Sequence, residues 1–299
     1  MIRGGADVAY AAELIRAGRL VAFPTETVYG LGANALDAAA VERVFSVKGR
    51  PHTTPLIVHV ASIEMAQGLA AAWPETAGTL ARRYWPGPLT LVLPKGPQIP
   101  DIVTAGLGTV GLRMPAHPMA LALIRAANLP IAGPSANRFT ELSPTAAEHV
   151  GDSLADYVLD GGPSRVGIES TVLSLAGGAP LLLRPGVIPL PEIEKCIGHV
   201  ETLHAAPSGA HPSPGMHKRH YRPHTPLYLL APGGQPPVGR GTWLRAGREM
   251  PADARAYAAA LYETLHRLDT QGFDWIAVEP PPETPEWAGV LDRLRRAAS

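Results

Sequence analysis

The chain has 299 residues, 46 % of them hydrophobic and 17 % charged, which is enough to bury a sizeable core and excludes global disorder. Basic and acidic residues balance at 26 each, so no overall basic field argues for non-specific nucleic-acid binding, and the single Cys196 excludes a disulfide framework or a multi-cysteine zinc site. No apolar run approaches the roughly 20 residues of a bilayer span, and MIRGGADVAY lacks a signal-peptide core, so a soluble cytoplasmic protein with no membrane partner is expected.

In chain order, Asp7 to Ala17 reads as a helix closed by Gly18, and Leu20 to Phe23 as a strand stopped by Pro24. Helical spacing recurs over 38–47, 62–72, 75–85 and 117–127. Strands are predicted at 56–60, 89–93, 109–113, 130–132, 157–159, 171–175 and 181–184, before a short helix near 190–197. These elements lack the regular strand–helix beat of a doubly wound sheet. An α/β fold with a twisted mixed sheet and flanking helices is the expectation.

Around 205–226 the texture changes to AAPSGAHPSPGMHKRHYRPHTP, rich in Pro, Gly and His. A strand at 227–230, a helix at 253–268, a strand at 275–278 and a helix at 284–297 follow. The predicted organisation is therefore a first domain over 1–205, a linker over 206–226 and a small α/β domain over 227–299.

Two glycine patterns invite a dinucleotide reading: Gly30-Leu-Gly32-Ala-Asn-Ala35 and Gly106-Leu-Gly108-Thr-Val-Gly111. Each fails on context, because the second continues into a strand and the first has no acidic ribose partner at the right distance. Ser135 in Gly133-Pro-Ser-Ala-Asn137 is not a nucleophile elbow, since Asn137 replaces the second glycine. Ser135 and Asn137 instead face a ligand or form an ordinary turn or helix cap before 144–150. Thr25, Glu26 and Thr27 form a turn or a ligand contact just past a strand end. Lys48 and Arg50 suit phosphate oxygens as well as a solvated helix end. His59, inside an apolar strand, reads by itself as a satisfied core residue, whereas Arg113 inside a strand needs an anion from a protein carboxylate or a ligand. His211, His217, His220 and His224 lack zincin spacing and nearby carboxylates, so no metal site is assigned to them.

The series PTETVYGLG, KGRP, PLIVHV, PGPLTLVLP, TVGLRMP, GPSAN, ESTV, LLRPG and SPGMHKRHYRPHTP, in this order and spacing, resembles the YrdC-like family of L-threonylcarbamoyladenylate synthases. The likeness spans about residues 8–225, and the linker followed by a further module resembles the family's long two-domain form. Thr53 stands where many relatives carry a lysine or another polar residue, and the final module is shorter than the usual extension. The resemblance implies a YrdC-like catalytic domain and a small Rossmann-like C-terminal domain. It implies a nucleotidyltransferase that makes threonylcarbamoyl-AMP and pyrophosphate from L-threonine, bicarbonate or CO2, and ATP with Mg2+. The product would pass to a separate tRNA threonylcarbamoyl transferase, which leaves room for a weak contact with tRNA itself. An RNA-binding module of the same fold without synthase activity is the alternative.

Carried over motif by motif, Thr27, His59, Arg113, Gly133 and Ser170 are expected around threonine. Lys48, Arg50, Thr54, Thr109, Ser135, Asn137, Ser143, Arg184 and Tyr221 are expected on the ATP side, with Tyr221 bringing the linker back over the nucleotide as a lid. Lys48, Arg50 and Arg113 are the residues expected to carry the chemistry, by charge neutralisation and positioning rather than proton transfer.

Overall fold

The structure, a computed structural model, describes residues 3–203 and 220–298. Asp7 caps α1 (Val8–Arg16) by accepting a hydrogen bond from the Tyr10 amide, after a short edge strand β1 (Arg3–Gly5). The strands β2 (Val21–Phe23) and β3 (Gly30–Asn34) pair antiparallel. Asp37 caps α2 (Ala38–Lys48), which ends at Gly49 in the left-handed region. Then come β4 (Ile57–His59), α3 (Ile63–Leu69), α4 (Glu75–Tyr84), β5 (Leu89–Pro94) and β6 (Thr109–Arg113). The helix α5 (Pro118–Ala127) starts on the fixed φ of Pro118 and stops at Asn128, φ 52°. The strands β7 (Ile131–Ala132), β8 (Tyr157–Leu159), β9 (Thr171–Ser174) and β10 (Leu181–Arg184), the helix α6 (Leu190–Ile197) and β11 (Glu201–Thr202) complete the first part.

These eleven strands form one sheet in the order β1-β8-β2-β3-β7-β4-β6-β5-β9-β10-β11, mixing parallel and antiparallel pairs. That is the mixed α/β architecture expected from the irregular alternation of elements. Of the second glycine pattern only Gly111 lies in β6, with Gly106 and Gly108 just before it, while the glycines of the first lie in β3, whose tight packing explains them. A Cβ on Gly30 would lie 2.9 Å from Phe23 Cε1, and one on Gly32 would lie 2.8 Å from Ile131 Cγ2. The expected helix over 144–150 is reduced to a single 3-10 turn, Ala147–His149.

Beyond residue 226 a three-stranded parallel sheet, ordered β12 (Leu227–Leu229), β14 (Trp275–Val278), β13 (Gly241–Leu244), packs with α7 (Ala254–Asp269) and α8 (Ala288–Ala297). The predicted helix at 284–297 begins as a 3-10 turn, Pro285–Trp287, with Pro285 at its first position. The core of this unit is continuous with Val28, Leu142, Ile168 and Tyr221. Two glycines permit the close seating. A Cβ on Gly167 would meet the Ala258 carbonyl of α7 at 2.3 Å, and one on Gly289 of α8 would meet the Gly186 carbonyl at 2.5 Å.

Candidate functional site

Sheet register brings the first two functional side chains together. Within the parallel β4–β6 pair, His59 lies opposite Arg113, and His59 also faces Ile131 of the antiparallel β7. β4 and β6 end at this level and the antiparallel β7 begins there, and these strands, with the segment after β7, line one cavity. Its wall includes Thr27, Arg50, His59, Arg113, Gly133, Ser135, Ser170, Arg184 and Tyr221, nine of the residues expected from sequence.

The Thr25–Val28 turn is held by the Thr25 hydroxyl, which donates to the Val28 carbonyl at 2.6 Å and lies 2.8 Å from Thr27 Oγ1. Gly133 donates its amide to the Ile57 carbonyl, and a Cβ there would crowd Phe23 and His59 at 3.3 to 3.5 Å. The anion that Arg113 requires is Glu26. Arg113 Nη2 stands 2.8 Å from Glu26 Oε1, and Glu26 Oε2 accepts from the Ala116 amide. The ion pair lies off the hydrogen-bonding direction, so Arg113 Nη2 has no hydrogen-bond acceptor.

His59 is 3 % exposed, and burial, then the charge of Arg113, push its pKa from 6.5 down to about 3. Its Nδ1 lies 3.3 Å from the Ile131 carbonyl. A carbonyl can only accept, so the proton belongs on Nδ1, and Nε2 is left as an acceptor. Across the cavity, Arg184 donates from Nε and Nη2 to the Ser170 carbonyl and from Nη2 to Ser170 Oγ, which also meets Thr90 Oγ1 at 2.8 Å. Arg50 donates to the Pro55 carbonyl and lies over the Phe139 ring. Burial, with help from neighbouring Arg184, lowers the Arg50 pKa to about 10. Arg50, Arg113 and Arg184 thus place three guanidinium groups, each 6 % exposed or less, around one space. Such a cluster is costly to bury and well suited to anionic ligands.

Five expected residues do not line this cavity. Lys48 Nζ is buried behind its wall, donating to the Ser135 carbonyl at 2.6 Å and to the Asn137 carbonyl, so it braces the Ser135–Asn137 turn. Burial, followed by repulsion from Arg50, holds its pKa well below the ordinary lysine value. Asn137 donates to the Arg138 and Glu141 carbonyls and opens onto a neighbouring cleft with His149 and His266. Thr54 is fully buried, and Thr109 lines a separate small hollow beside Thr90 and Gly111. Ser143 donates to Glu169 Oε1 at 2.6 Å.

Tyr221 carries a left-handed φ of 62° and is 1 % exposed. It sits in the cavity wall with His220, their rings 4.1 Å apart. Most of the linker in which sequence placed it, including His211 and His217, lies outside the described residues. His224 pairs with Asp269 at 3.0 Å, and among the described residues no group of three or more His, Cys, Asp or Glu could hold a metal.

Sequence reasoning read Glu169 of the ESTV motif only as a polar group at a strand edge, without a site role, and passed over the residues that hold it at the cavity wall: Tyr262 on α7 and Arg293 on α8. A signal existed for the last. Val290, Leu294 and Ala297 form an apolar helix stripe, and Arg293 interrupts it, the pattern of a charge turned inward.

Comparison with known proteins gives a consistent result. Residues 13–186 match the Sua5/YciO/YrdC family model, described as telomere recombination, and residues 188–299 match a model described as threonylcarbamoyl-AMP synthase, C-terminal domain. A threonylcarbamoyl-AMP synthase of Pyrococcus abyssi is 44 % identical over 96 % of this chain and 93 % of its own length. One of Bacillus subtilis is 43 % identical over 98 % of this chain and 93 % of its own. The crystal structure of P. abyssi Sua5 complexed with L-threonine superposes with a TM-score of 0.92 at 40 % identity, covering 100 % of this chain and 97 % of that one.

Proposed function

We propose that this chain, which belongs to the Sua5/YciO/YrdC family in its long two-domain form, is a threonylcarbamoyl-AMP synthase, a nucleotidyltransferase that supplies tRNA modification. The observation that carries the reading is one cavity lined by neutral His59, by Arg113, by the Ser170–Arg184 pair and by Arg50.

In this reading Arg113 holds the threonine carboxylate through the donor that Glu26 leaves unbonded. Thr27, His59 and Ser170 face the amine and side-chain hydroxyl, and Gly133 supplies the close approach. A site that hydrogen-bonds a hydroxyl rejects an isostere lacking it. Arg50, Arg184, Ser135 and Tyr221 take the nucleotide side, while Lys48 and Asn137 act behind the wall by fixing the Ser135 turn. Glu26 and Glu169 are each already ion-paired, so Mg2+, if brought by ATP, would be held by the nucleotide's phosphates and would neutralise part of their charge.

The threonine amine forms an N–C bond with CO2, and the proton it loses combines with the hydroxide that bicarbonate leaves on releasing CO2, giving water. The resulting carbamate oxygen forms a bond to the α-phosphorus as the bond to the β-phosphate oxygen breaks, and pyrophosphate leaves in line. No nucleophilic side chain is required; orientation and fixed positive charge suffice. The threonylcarbamoyl-AMP then goes to a separate tRNA threonylcarbamoyl transferase, and a cytoplasmic location is part of this reading.

Pyrophosphate release should require threonine and bicarbonate together. Equal turnover with ATP and another amino acid alone would overturn the reading. A salt-sensitive affinity for tRNA without threonine-dependent ATP turnover would favour an RNA-binding module instead.

A further inference from the structure

Arg293 is the largest fully buried side chain of the described residues, with 0 % exposure, and it belongs to the C-terminal unit. Its guanidinium nonetheless makes three of its hydrogen bonds to the other one, besides those to Gly289 and Asp292 of its own helix. Nε pairs with Glu169 Oε2 at 2.6 Å, Nη2 donates to the Glu169 carbonyl at 3.1 Å, and Nη1 donates to the Pro185 carbonyl at 2.9 Å. Asp292 balances it from α8 at 2.7 Å, and its Cζ lies 5.3 Å from the centre of the Tyr221 ring. One side chain therefore ties together the segments that present Ser170, Arg184 and Tyr221 to the cavity.

Glu169 is equally committed. Besides Arg293, its carboxylate accepts from Ser143 Oγ at 2.6 Å and from the Tyr262 hydroxyl at 3.3 Å. Burial would raise its pKa, but the charges of Arg293 and Arg184 together with the hydrogen bonds from Ser143 and Arg293 hold it below the ordinary value. Arg184 attracts the same carboxylate, yet the ion pair formed among the described residues is with Arg293. With Arg293 gone, a buried anion would need a new cation, and Arg184 lies within its field.

We propose that Arg293 is a positioning residue of the active site, acting through Glu169: it keeps that carboxylate paired on the side of the C-terminal unit, so that the charge of Arg184 remains directed at the nucleotide. The proposal rests on the synthase reading and gives the C-terminal unit a defined task there. Tyr262 and Ser143 complete the cage, and Gly289, one turn before Arg293, allows α8 to come close enough for the reach.

The proposal predicts selectivity. R293M should raise the KM for ATP at least ten-fold and the KM for threonine by a clearly smaller factor, because Arg184 reaches the threonine side only through Ser170 while Arg113 holds the carboxylate. R293K, which keeps a cation but loses the fork, should lose less than R293M. The decisive variant is R293M/E169Q, in which the freed anion is removed together with its partner. It should recover most of the lost ATP affinity, both in KM and in direct calorimetric binding of a non-hydrolysable ATP analogue. Circular dichroism and thermal melting establish that each variant is folded. If folded R293M loses threonine and ATP equally, or if the double variant stays as weak as R293M, the proposal is overturned. If R293M does not fold, R293K and the double variant carry the same comparison. Absence of threonine-dependent pyrophosphate release in the parent protein would instead remove the synthase reading, so the two failures are told apart.

Discussion

Glu26 and Arg113 meet at 2.8 Å beneath the cavity, with side chains 9 % and 4 % exposed, and the carboxylate is anchored from behind by the Ala116 amide. An arginine held this way is aimed before any substrate arrives, so the ordering cost is met in folding rather than in binding.

R113A should therefore raise the KM for threonine about a hundred-fold, roughly the 2–3 kcal/mol of a charge-assisted contact, while ATP-analogue affinity changes less than about three-fold. Steady-state pyrophosphate release and calorimetry measure the two. Equal losses on both sides would show that Arg113 serves the nucleotide.

Lys48 gives a different signature. Its ammonium satisfies two buried carbonyls, those of Ser135 and Asn137, and a methionine cannot. K48M should cost about 2–3 kcal/mol in urea denaturation. A stability equal to the parent's would mean the ammonium points into the cavity and that its value is entirely catalytic.

His59 makes stability depend on pH. An unfolded histidine takes up its proton near 6.5, while the folded one resists until about 3, so between these values the unfolded chain binds more protons. Stability is thus complete above about pH 6.5 and declines as the pH falls toward 3. At pH 5 the loss from this group alone is about 2 kcal/mol at 1.36 kcal/mol per unit. H59Q should lose that much less than the parent between pH 7.5 and pH 5 in urea midpoints. Identical losses in both proteins would exclude His59 as the source.

Gly289 and Gly186 touch backbone to backbone where α8 meets the turn after β10. G289A places a methyl 2.5 Å from the Gly186 carbonyl and should destabilise the seating by about 1–3 kcal/mol. Limited proteolysis should then cleave the C-terminal unit faster than in the parent. An unchanged cleavage rate and melting temperature would mean the two units part without cost.

Much of this was legible in the chain itself. Strands such as Thr109–Arg113 and Tyr157–Leu159, and the helix that opens at Asp7, follow from residue type and spacing because they are local. The Gly30–Asn34 strand escaped notice because its glycines answer to Phe23 and Ile131, one of them a hundred residues away. Of the residues named by motif, nine converge on one cavity, while Lys48, Thr54, Thr109, Asn137 and Ser143 stand behind or beside it. A motif records which residues travel together and is silent on which face the solvent.

Periodicity and the order of short motifs therefore determined the elements, the fold class and the family, since each depends on neighbours within a few residues or on inherited order. Tertiary structure alone decided which anion answers Arg113, that Lys48 is a brace, and that Arg293 reaches across 124 positions to Glu169. Those choices follow from where buried charges find partners, and a buried charge accepts whichever partner the packed chain brings within reach.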